Sequence, residues 1–228
     1  MNDTGNLGPA VAFHEELSES WGEKYRGGIF SRRLQVFGRI VSEYCRSGTQ
    51  WLDAGCGVGN LTRLLADHGA RVTGVDASPG MIEHAGNVLH EAGVADRCEL
   101  MCIETIETMP FPSGRFDGVI CSSVVEYLDS DRAGLQELHR VIKDGGLLVA
   151  TVPNRWALLR MLQRLAFGLT GRPRYLQFSK NHYTAKQFRS LVVDVGFTVE
   201  HVEYTSFWPC RLVPAVSGAL ALYVLRKF

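Results

Sequence analysis

The sequence lacks the features by which several classes of protein are recognised. Its longest apolar run, residues 212–225, is interrupted by Pro214 and Gly218 and is too short to cross a bilayer. The first twelve residues contain no basic start followed by an apolar core, as a secretory signal would. None of the 6 cysteines belongs to a C-x-x-C pair or shows a repeated metal-ligand spacing. We therefore expect a soluble, cytoplasmic protein whose cysteines are free thiols, buried as small apolar groups.

Acidic residues are missing from one long stretch of the chain. The formal net charge is zero at pH 7, yet residues 145–193 contain eight Lys or Arg and no Asp or Glu. A balanced total charge argues against a dedicated nucleic-acid binder, which would present a strongly basic surface. The local excess of positive charge is a separate feature that the function must explain.

Apolar runs and turn residues alternate regularly through the middle of the chain. Helical spacing of leucines predicts a helix over residues 60–67, and Ser78-Pro79 predicts the N-cap and first turn of another. A third helix is predicted over residues 131–142, closed by residues 144–146. Such alternation predicts right-handed crossovers and a parallel sheet that is covered on both faces. The predicted strands are residues 49–52, 71–75, 98–102, 116–121 and 147–152.

The last part of the chain predicts the closing elements of the same fold. Thr184-Ala-Lys-Gln187 has the pattern of a capping box and begins a helix through Val195. Residues 197–204 and 219–227 then have the pattern of two closing strands. A chain of 228 residues with 46% hydrophobic residues can bury one sizeable core. We therefore predict one α/β domain over residues 1–228, with a doubly wound sheet whose ligands lie at the carboxyl ends of the strands.

A glycine-rich turn, DAGCGVGN at residues 53–60, follows the first predicted strand. It matches neither the G-x-G-x-x-G turn that holds a dinucleotide pyrophosphate nor a Walker loop, which ends in Gly-Lys-Ser/Thr. Asp53 precedes the glycines and would repel a pyrophosphate, whereas it suits an ammonium group. Asp76 ends the second strand, where one carboxylate can accept hydrogen bonds from both hydroxyls of a ribose. The turn therefore predicts a nucleoside ligand with a cationic, phosphate-free tail.

Five motifs in chain order resemble those of the class I S-adenosylmethionine-dependent methyltransferases. The resemblance covers residues 50–150 and implies S-adenosylmethionine as the cofactor. It also implies a Rossmann-like, seven-stranded, mostly parallel sheet with a closing antiparallel strand. The motifs read LDAGCGVG at 52–59, VTGVD at 72–76 followed by SPGM at 78–81, MPFPSGRFD at 109–117, VVEYL at 124–128 and VIKDGG at 141–146.

The resemblance also assigns cofactor contacts to residues of this chain. In the family, the glycine turn holds the methionine part, the acid after the second strand holds the ribose, and residues after the third strand hold the adenine. The acid that usually contacts the adenine is absent between Glu104 and Glu107, so that either Thr105 or a backbone amide must supply this contact. The residues implied are Arg33, Asp53, Gly55, Cys56, Gly57, Asp76, Ala77, Met81, Thr105, Ile106 and Ser122.

Among the branches of the family, the chain is most similar to the ubiquinone-biosynthesis O-methyltransferases. Those enzymes carry E-x-x-E-H after the fourth strand as a proposed divalent-metal site, whereas this chain reads SVVEY at residues 123–127. Two of the three ligands are missing, and oxygen-ligated magnesium needs several carboxylates or waters. We therefore predict no metal ion, and the catechol acceptor of that branch is not carried over.

The candidate catalytic residues follow the fourth and fifth predicted strands. An acceptor hydroxyl or protonated amine must lose a proton during methylation, so a general base is useful. His182, in a loop just before the Thr184 N-cap, is the first candidate for this base, and Glu126 and Tyr127 are the second. A purely structural role remains open for each of the three.

Two segments are predicted to act as lids. Residues 1–48 predict an N-terminal helical lid, in which FHEELSESW at 13–21 has an amphipathic pattern. Residues 153–183 predict an inserted basic amphipathic lid. Within residues 154–178, arginines and a glutamine share one helical face and Trp, Leu and Phe cover the rest, which is the composition of a membrane-surface helix. A buried lid helix with solvated arginines is the alternative.

Together these features predict an enzyme that moves a methyl group from S-adenosylmethionine to an oxygen or nitrogen of a small, apolar or amphipathic molecule. The alternatives are a cofactor-binding, non-catalytic partner subunit and a protein or RNA methyltransferase. Nucleic acid is disfavoured, because the Asn/Asp-Pro-Pro-aromatic run of amino-directed DNA enzymes is replaced by CSSV at residues 121–124. Peripheral membrane contact through residues 154–178 is predicted as a further interaction, and the oligomeric state is left open.

Overall fold

Helices and strands alternate along the chain in the order that the sequence predicts. The computed structural model describes residues 8–21, 28–155, 157–205 and 220–228. The helices are α1 (Pro9–Trp21), α2 (Gly28–Tyr44), α3 (Asn60–Asp67), α4 (Pro79–Glu91), α5 (Asp131–Val141), α6 (Leu158–Thr170) and α7 (Ala185–Val195). The strands are β1 (Gln50–Ala54), β2 (Arg71–Asp76), β3 (Cys98–Cys102), β4 (Phe116–Ser122), β5 (Ile142–Pro153), β6 (Phe197–Thr205) and β7 (Leu220–Lys227).

The strands form one seven-stranded sheet in the order β3-β2-β1-β4-β5-β7-β6. β1, β2 and β3 are parallel neighbours, whereas β7 runs antiparallel to both β5 and β6. This is the predicted α/β fold, a doubly wound, mostly parallel sheet with an antiparallel closing strand, and the prediction is confirmed.

The chain divides into two compact units. The amino-terminal unit comprises residues 1–106 and 116–120, and the carboxy-terminal unit comprises residues 107–115 and 121–228. The amino-terminal unit contains the glycine turn, and the carboxy-terminal unit contains all three candidate catalytic residues. The boundaries predicted for a single domain over 1–228 and for lids over 1–48 and 153–183 stay predictions.

The core of the amino-terminal unit forms around β1. The Trp51 ring is buried against β4, where a Cβ on Gly118 would lie 2.5 Å from it, so that only glycine leaves room for the indole. At the start of β1, the amide of Gln50 donates to the Asp117 carboxylate over 2.8 Å. These contacts align β1 beside β4 and place the turn that follows β1.

The core of the carboxy-terminal unit lies on the antiparallel part of the sheet. Val149 of β5 pairs with Val224 of β7, and both side chains are buried. Phe188 of α7 packs between two tyrosine rings, at 5.1 Å from Tyr183 and 4.8 Å from Tyr223 between ring centroids. Aromatic pairs at this spacing are favourable contacts. They attach α7 to β7 and to the segment that carries His182.

One predicted boundary is wrong. The sequence predicts that residues 144–146 end a helix, but β5 already begins at Ile142 and includes them. The backbone there has partners on β7, since Arg226 donates to the Gly145 carbonyl and Lys227 donates to the Ile142 carbonyl, each over 2.8 Å. These two bonds come from side chains of a strand far along the chain, so local sequence could not indicate them.

The described cysteines are free thiols, as predicted, but not all are buried. Cys45, Cys56 and Cys121 are buried and Cys98 is half-buried, whereas Cys102 is exposed. Cys102 is the last residue of β3, which is an edge strand of the sheet, so the prediction of burial is wrong for it. Cys210 lies outside the described residues.

Candidate functional site

The glycine turn after β1 is held by the end of β2. The amides of Gly55 and Cys56 both donate to the Val75 carbonyl, over 2.8 and 2.9 Å. Gly57 has a φ of 52°, in the left-handed region that glycine adopts readily, and a Cβ at this position would meet no atom within 4 Å. Glycine is therefore needed at 57 for the shape of the turn, and the space beside its backbone is open.

Gly59 is required for a different reason. Its φ is 79°, and a Cβ on it would lie only 2.9 Å from the Cβ of Ala85. Gly59 directly precedes α3, and Ala85 lies in α4. The missing side chain therefore lets these two helices approach each other closely, which sets the direction in which the turn leaves the sheet.

The Asp76 carboxylate joins the glycine turn to the start of α4. One oxygen, Oδ2, accepts a hydrogen bond of 2.8 Å from the Gly57 amide, and Oδ1 accepts one of 3.0 Å from the Ser78 amide. Burial raises the pKa of this carboxyl, and the two amide bonds oppose the rise because they stabilise the charged form. Two of its roughly four acceptor positions are thus occupied.

The Asp53 carboxylate is buried in β1 and only half satisfied. Its Oδ2 accepts a hydrogen bond of 2.7 Å from the Thr62 hydroxyl, while Oδ1 has no partner among the described residues. Burial raises the pKa of Asp53 to about 7, with the Thr62 hydrogen bond acting in the opposite direction. A buried carboxylate oxygen without a donor is costly, so a cation or donor that reached Oδ1 would be stabilising.

The start of α4 is capped by a serine, as the sequence predicts. The Ser78 hydroxyl accepts a hydrogen bond of 3.0 Å from the Met81 amide, and Pro79 occupies the first turn. Met81 is buried, which fixes this turn against the unit's core. The α4 start and the glycine turn are therefore two backbone segments that meet at the Asp76 carboxylate.

In the carboxy-terminal unit, the loop that carries His182 is tied to the turn that follows β4. The amides of Lys180 and Asn181 donate to the Glu126 carbonyl over 2.7 and 3.1 Å. The Asn181 side-chain amide donates to two further carbonyls of the same turn, 3.0 and 2.9 Å away. The candidate residues Glu126 and His182, which are far apart in sequence, are therefore brought together by their backbones.

His182 is half-buried, and its Nδ1 has no hydrogen-bond partner among the described residues. Burial lowers the pKa of the imidazole, and the positive charges of Arg164, Arg160 and Arg155 lower it further. A neutral ring at pH 7 keeps one nitrogen able to accept a proton. The Arg155 amide donates to the Tyr183 carbonyl over 3.0 Å, so the backbone next to His182 is held on this side as well.

Glu126 and Tyr127 lie in the 3-10 turn Val125–Tyr127. Glu126 is 3% exposed, and Tyr127 is half-buried. Burial raises the pKa of Tyr175 and of Tyr183, and the negative charge of Glu126 contributes to both shifts. Glu126 is therefore a buried acid within electrostatic reach of two phenols. No group of three or more His, Cys, Asp and Glu in the described ranges could hold a metal ion.

Helix α6 packs through its polar face. Arg160 donates to the Tyr175 hydroxyl over 2.6 Å, and this hydroxyl donates to Gln163 over 2.9 Å. Arg160 is therefore half-buried and bonded, while four apolar side chains of α6 are exposed, and the role of residues 153–183 as a lid stays a prediction. Within the part of the chain that is described, no helix is long and apolar enough to cross a membrane. The exposed fractions are 47% for Met161, 53% for Leu162, 63% for Leu165 and 79% for Leu169.

Residues 52–150 match the protein family described as "Methyltransferase domain". The chain is 31% identical over 150 residues to the ubiquinone biosynthesis O-methyltransferase of Methylocella silvestris, which covers 64% of this chain and 56% of that protein. It is 32% identical over 98 residues to the sterol 4-C-methyltransferase strm-1 of Caenorhabditis elegans, which covers 43% of this chain and 29% of that protein. The chain thus spans less than two thirds of the length of these curated relatives.

The fold resembles that of a solved S-adenosylmethionine-dependent methyltransferase from Thermotoga maritima. The TM-score is 0.69 at 18% identity, over 95% of this chain and 99% of that chain. The family match falls on the segment that holds the glycine turn and Asp76. Residues 52–150 are a class I S-adenosylmethionine-dependent methyltransferase domain.

The methyltransferase domain implies S-adenosylmethionine as its cofactor, and the residues around the glycine turn fit that molecule. Asp76 retains about two acceptor positions, which is what the two ribose hydroxyls need. Asp53 Oδ1 lacks a donor, and the ammonium group of the methionine part would supply one. The open space beside Gly57 allows a ligand to approach the backbone closely.

The other residues predicted to bind the cofactor lie in different parts of the chain, and their contacts with the cofactor stay predictions. Arg33 lies in α2 with its guanidinium 5.9 Å from the centre of the Phe37 ring. Ser122 belongs to the carboxy-terminal unit, where its hydroxyl lies 3.1 Å from that of Thr151. The remaining five lie in the amino-terminal unit. Cys56 is on the glycine turn, Ala77 and Met81 are at the start of α4, and Thr105 and Ile106 follow β3.

Two residues that contact the candidate cofactor site were not predicted from the sequence. Thr62 donates to Asp53, and Glu15 of α1 accepts hydrogen bonds from the Ser78 hydroxyl and, over 3.0 Å, from the Gly80 amide. Thr62 leaves a weak signal, because it is a polar residue on the buried face of a leucine-rich helix. Glu15 leaves none, since it is one of several acids in an amphipathic segment.

Proposed function

We propose that this chain is an enzyme that transfers the methyl group of S-adenosylmethionine to an oxygen or nitrogen of a small, apolar or amphipathic acceptor. The observation that carries the proposal is the hydrogen-bond network in which Asp76 joins Gly57 to Ser78 while Asp53 keeps a buried oxygen unpaired. This network offers acceptors to a diol and to an ammonium group but no cation for a phosphate. The family match over residues 52–150 supports the same conclusion.

The protein contributes to such a transfer mainly by positioning and by proton removal. When bound, S-adenosylmethionine supplies a methyl carbon that its sulfonium leaving group already activates. Asp53, Asp76 and the backbone of Gly57 would hold this molecule, which would supply its methyl group to the acceptor with a thioether as the leaving group. Holding the two reactants in line at near-contact distance contributes roughly 7 kcal/mol or more to lowering the barrier.

His182 is the residue that we propose to take the acceptor's proton. Its lowered pKa keeps the ring neutral at pH 7, and Nδ1 has no partner in the described part of the chain. The buried acid Glu126 lies on the turn to which the His182 loop is bonded. Its negative charge would offset the positive charge of the imidazolium. Proton removal by a positioned base is worth about 100-fold or more in rate.

We further propose that α6 places the protein against an anionic membrane surface, where an amphipathic acceptor would be found. Four apolar side chains of α6 are exposed, and Arg172 and Arg174, just after the helix, are exposed as well. Leucines and methionine beside arginines fit the boundary between acyl chains and anionic headgroups. Charge complementarity selects this occupant, because residues 145–193 contain no acid.

Calorimetry followed by a transfer assay tests the enzymatic proposal. We expect the chain to bind S-adenosylhomocysteine and then to transfer labelled methyl from S-adenosylmethionine to a member of a panel of apolar phenols, amines and carboxylic acids. Asp76→Asn serves as a control that should weaken binding of S-adenosylhomocysteine. A chain that binds the product but methylates nothing in the panel would favour the non-catalytic partner subunit. A chain that methylates only a protein or RNA fraction would contradict the small-molecule acceptor.

A further inference from the structure

The start of α4 is held from outside by an acid of α1. The Glu15 carboxylate accepts one hydrogen bond from the Ser78 hydroxyl and one of 3.0 Å from the Gly80 amide. A Cβ on Gly80 would lie 2.9 Å from a Glu15 oxygen and 2.9 Å from the Ser18 hydroxyl. α1 therefore packs directly against the first turn of α4, where the missing side chain of Gly80 makes room for it.

The same first turn of α4 determines the position of the Asp76 carboxylate. The Ser78 amide donates to Asp76 Oδ1 over 3.0 Å, and the Ser78 hydroxyl accepts from the Met81 amide over 3.0 Å. Glu15, Ser78 and Asp76 thus form a continuous chain of hydrogen bonds. A hydroxyl that donates to a carboxylate also becomes a better acceptor, so the bond to Glu15 strengthens the cap.

The electrostatics of this arrangement are favourable for an acid. The first-turn amides of a helix carry partial positive charge, so a carboxylate beside them is stabilised. In α4 the first turn contains no acid of its own. Glu15 supplies that negative charge from α1, and it bonds one of the amides that a helix start leaves without an intrahelical partner.

From this geometry we infer that Glu15 is a positioning residue for cofactor binding. By holding Ser78 and Gly80, it keeps the turn from Asp76 to Gly80 in the conformation in which the Asp76 carboxylate bonds Gly57 and faces the ribose hydroxyls. The inference rests on the proposed function, because it takes S-adenosylmethionine as the ligand of Asp76. Glu15 itself acts through Ser78 and Gly80 and contacts no reacting atom.

Binding of S-adenosylhomocysteine to variants of the full chain tests the inference. We expect Glu15→Ala to raise the dissociation constant about tenfold, because two hydrogen bonds to a charged group are lost. Glu15→Gln should raise it only about two- to threefold, since both bonds go to one carboxylate oxygen and a neutral amide oxygen in its place can still accept them, though more weakly. Glu83→Ala removes an exposed acid from α4, the helix whose start Glu15 holds, and should leave binding unchanged. In the transfer assay, Glu15→Ala should raise KM for S-adenosylmethionine with little change in kcat.

The outcomes separate the inference from the function on which it rests. If wild-type chain does not bind the product, the proposed function falls and the inference with it. If wild-type chain binds and Glu15→Ala binds equally well, only the inference is overturned. If Glu15→Ala weakens binding no more than its loss of thermal stability accounts for, and Glu15→Gln restores nothing, the role is merely structural and the inference is also overturned. A double-mutant cycle with Ser78→Ala should show that the two effects on binding are not additive.

Discussion

Helices α4 and α6 have the same length, 13 residues, but they differ at their start and on their apolar face. α4 begins with a serine cap and a proline, and it buries Met81, Ala85 and Leu89. α6 begins after Ala157 without any side-chain cap, and Leu162, Leu165 and Leu169 on it are exposed. A leucine gains about 1.5–3 kcal/mol from full burial, so α6 leaves unused a stabilisation that α4 obtains within its own unit.

The difference separates two kinds of binding surface in one chain. The start of α4 and the glycine turn both donate to the Asp76 carboxylate, which keeps acceptor positions for one small ligand. α6 satisfies its arginine face through Tyr175 and leaves a broad apolar surface, for which a bilayer is the occupant that we propose. The amino-terminal unit therefore offers acceptors for a defined cofactor, and the carboxy-terminal unit exposes the apolar face that we propose to contact a membrane.

The largest expected effect comes from the carboxy-terminal unit. Replacing His182 by Ala should lower kcat about 100-fold or more, because the acceptor's proton would lose its base. Binding of S-adenosylhomocysteine should remain close to that of wild-type chain, since the residues of the glycine turn are untouched. Rates and calorimetry on the same preparations measure both quantities. His201→Ala, at an exposed position of β6, is the control, and an unchanged rate for His182→Ala would remove it from the mechanism.

The second prediction concerns the amino-terminal unit, where a substitution should weaken cofactor binding. Asp53→Asn should weaken binding of S-adenosylhomocysteine about 10- to 100-fold, because a buried carboxylate no longer meets the ammonium group.

The same change should make the cofactor-free chain more tolerant of high pH. The pKa of Asp53 is raised to about 7, so the folded state holds a proton that the unfolded state has released, and the free energy of unfolding falls as pH rises from about 4 to 7.

Chemical denaturation of the cofactor-free chain at pH 5 and pH 8 checks this sign. Wild-type chain should lose more stability between the two values than Asp53→Asn, which has no carboxyl to ionise at that position. Asp76 has a raised pKa of its own, and since Asp53 and Asp76 repel each other, removing the Asp53 charge reduces that rise and acts in the same direction. Equal losses in the two chains would show that Asp53 is not protonated in the fold.

The third prediction addresses the apolar face of α6. Replacing Leu162, Leu165 and Leu169 together by Gln should lower binding to vesicles with anionic lipid by about tenfold or more, since burial of this face in the bilayer would be lost. Co-sedimentation at low salt measures the bound fraction. Val193→Gln, an exposed apolar position on α7, is the control. If wild-type chain does not sediment with anionic vesicles at low salt, the membrane proposal is wrong.

The smallest expected effect concerns the cap of α4. Ser78→Ala should lower the free energy of unfolding by about 1 kcal/mol, which is typical for loss of a serine cap. Urea denaturation measures this change. Ala157→Gly, at the uncapped start of α6, is the matched control; because no side-chain cap is lost there, its cost should be smaller. A Ser78→Ala chain as stable as wild type would show that the backbone alone holds this helix start.

Local chemistry made the cofactor side predictable. Ser78-Pro79 indicates a helix start in any fold, and α4 begins at Pro79 with Ser78 as its cap. The glycines of residues 53–60 indicate a turn with unusual backbone angles, and Gly57 and Gly59 have them. Asp53 begins that turn, and Asp76 ends the second strand, 19 positions after Gly57. The helix start and the turn depend on residues that are close together along the chain, and the position of Asp76 depends on the predicted order of two neighbouring strands.

Contacts between distant segments were not predictable in this way. Glu15 reaches Ser78 across 63 positions, and Asn181 reaches the Val125 carbonyl across 56. The carbonyls of Gly145 and Ile142 in β5 accept hydrogen bonds from the side chains of Arg226 and Lys227, far along the chain. No periodicity or motif records such pairs, because each residue is ordinary in its own neighbourhood.

The sequence by itself determined the alternation of helices and strands, the conformation of the glycine turn and the type of ligand it accepts, because helix caps, glycine torsions and neighbouring charges act over a few residues. Only the tertiary structure decided that Arg160 of α6 bonds Tyr175 while Leu162, Leu165 and Leu169 are exposed. It also decided that Glu15 holds the start of α4. An amphipathic pattern shows that a helix has two faces, but which face is buried depends on the partners that the rest of the fold brings to it.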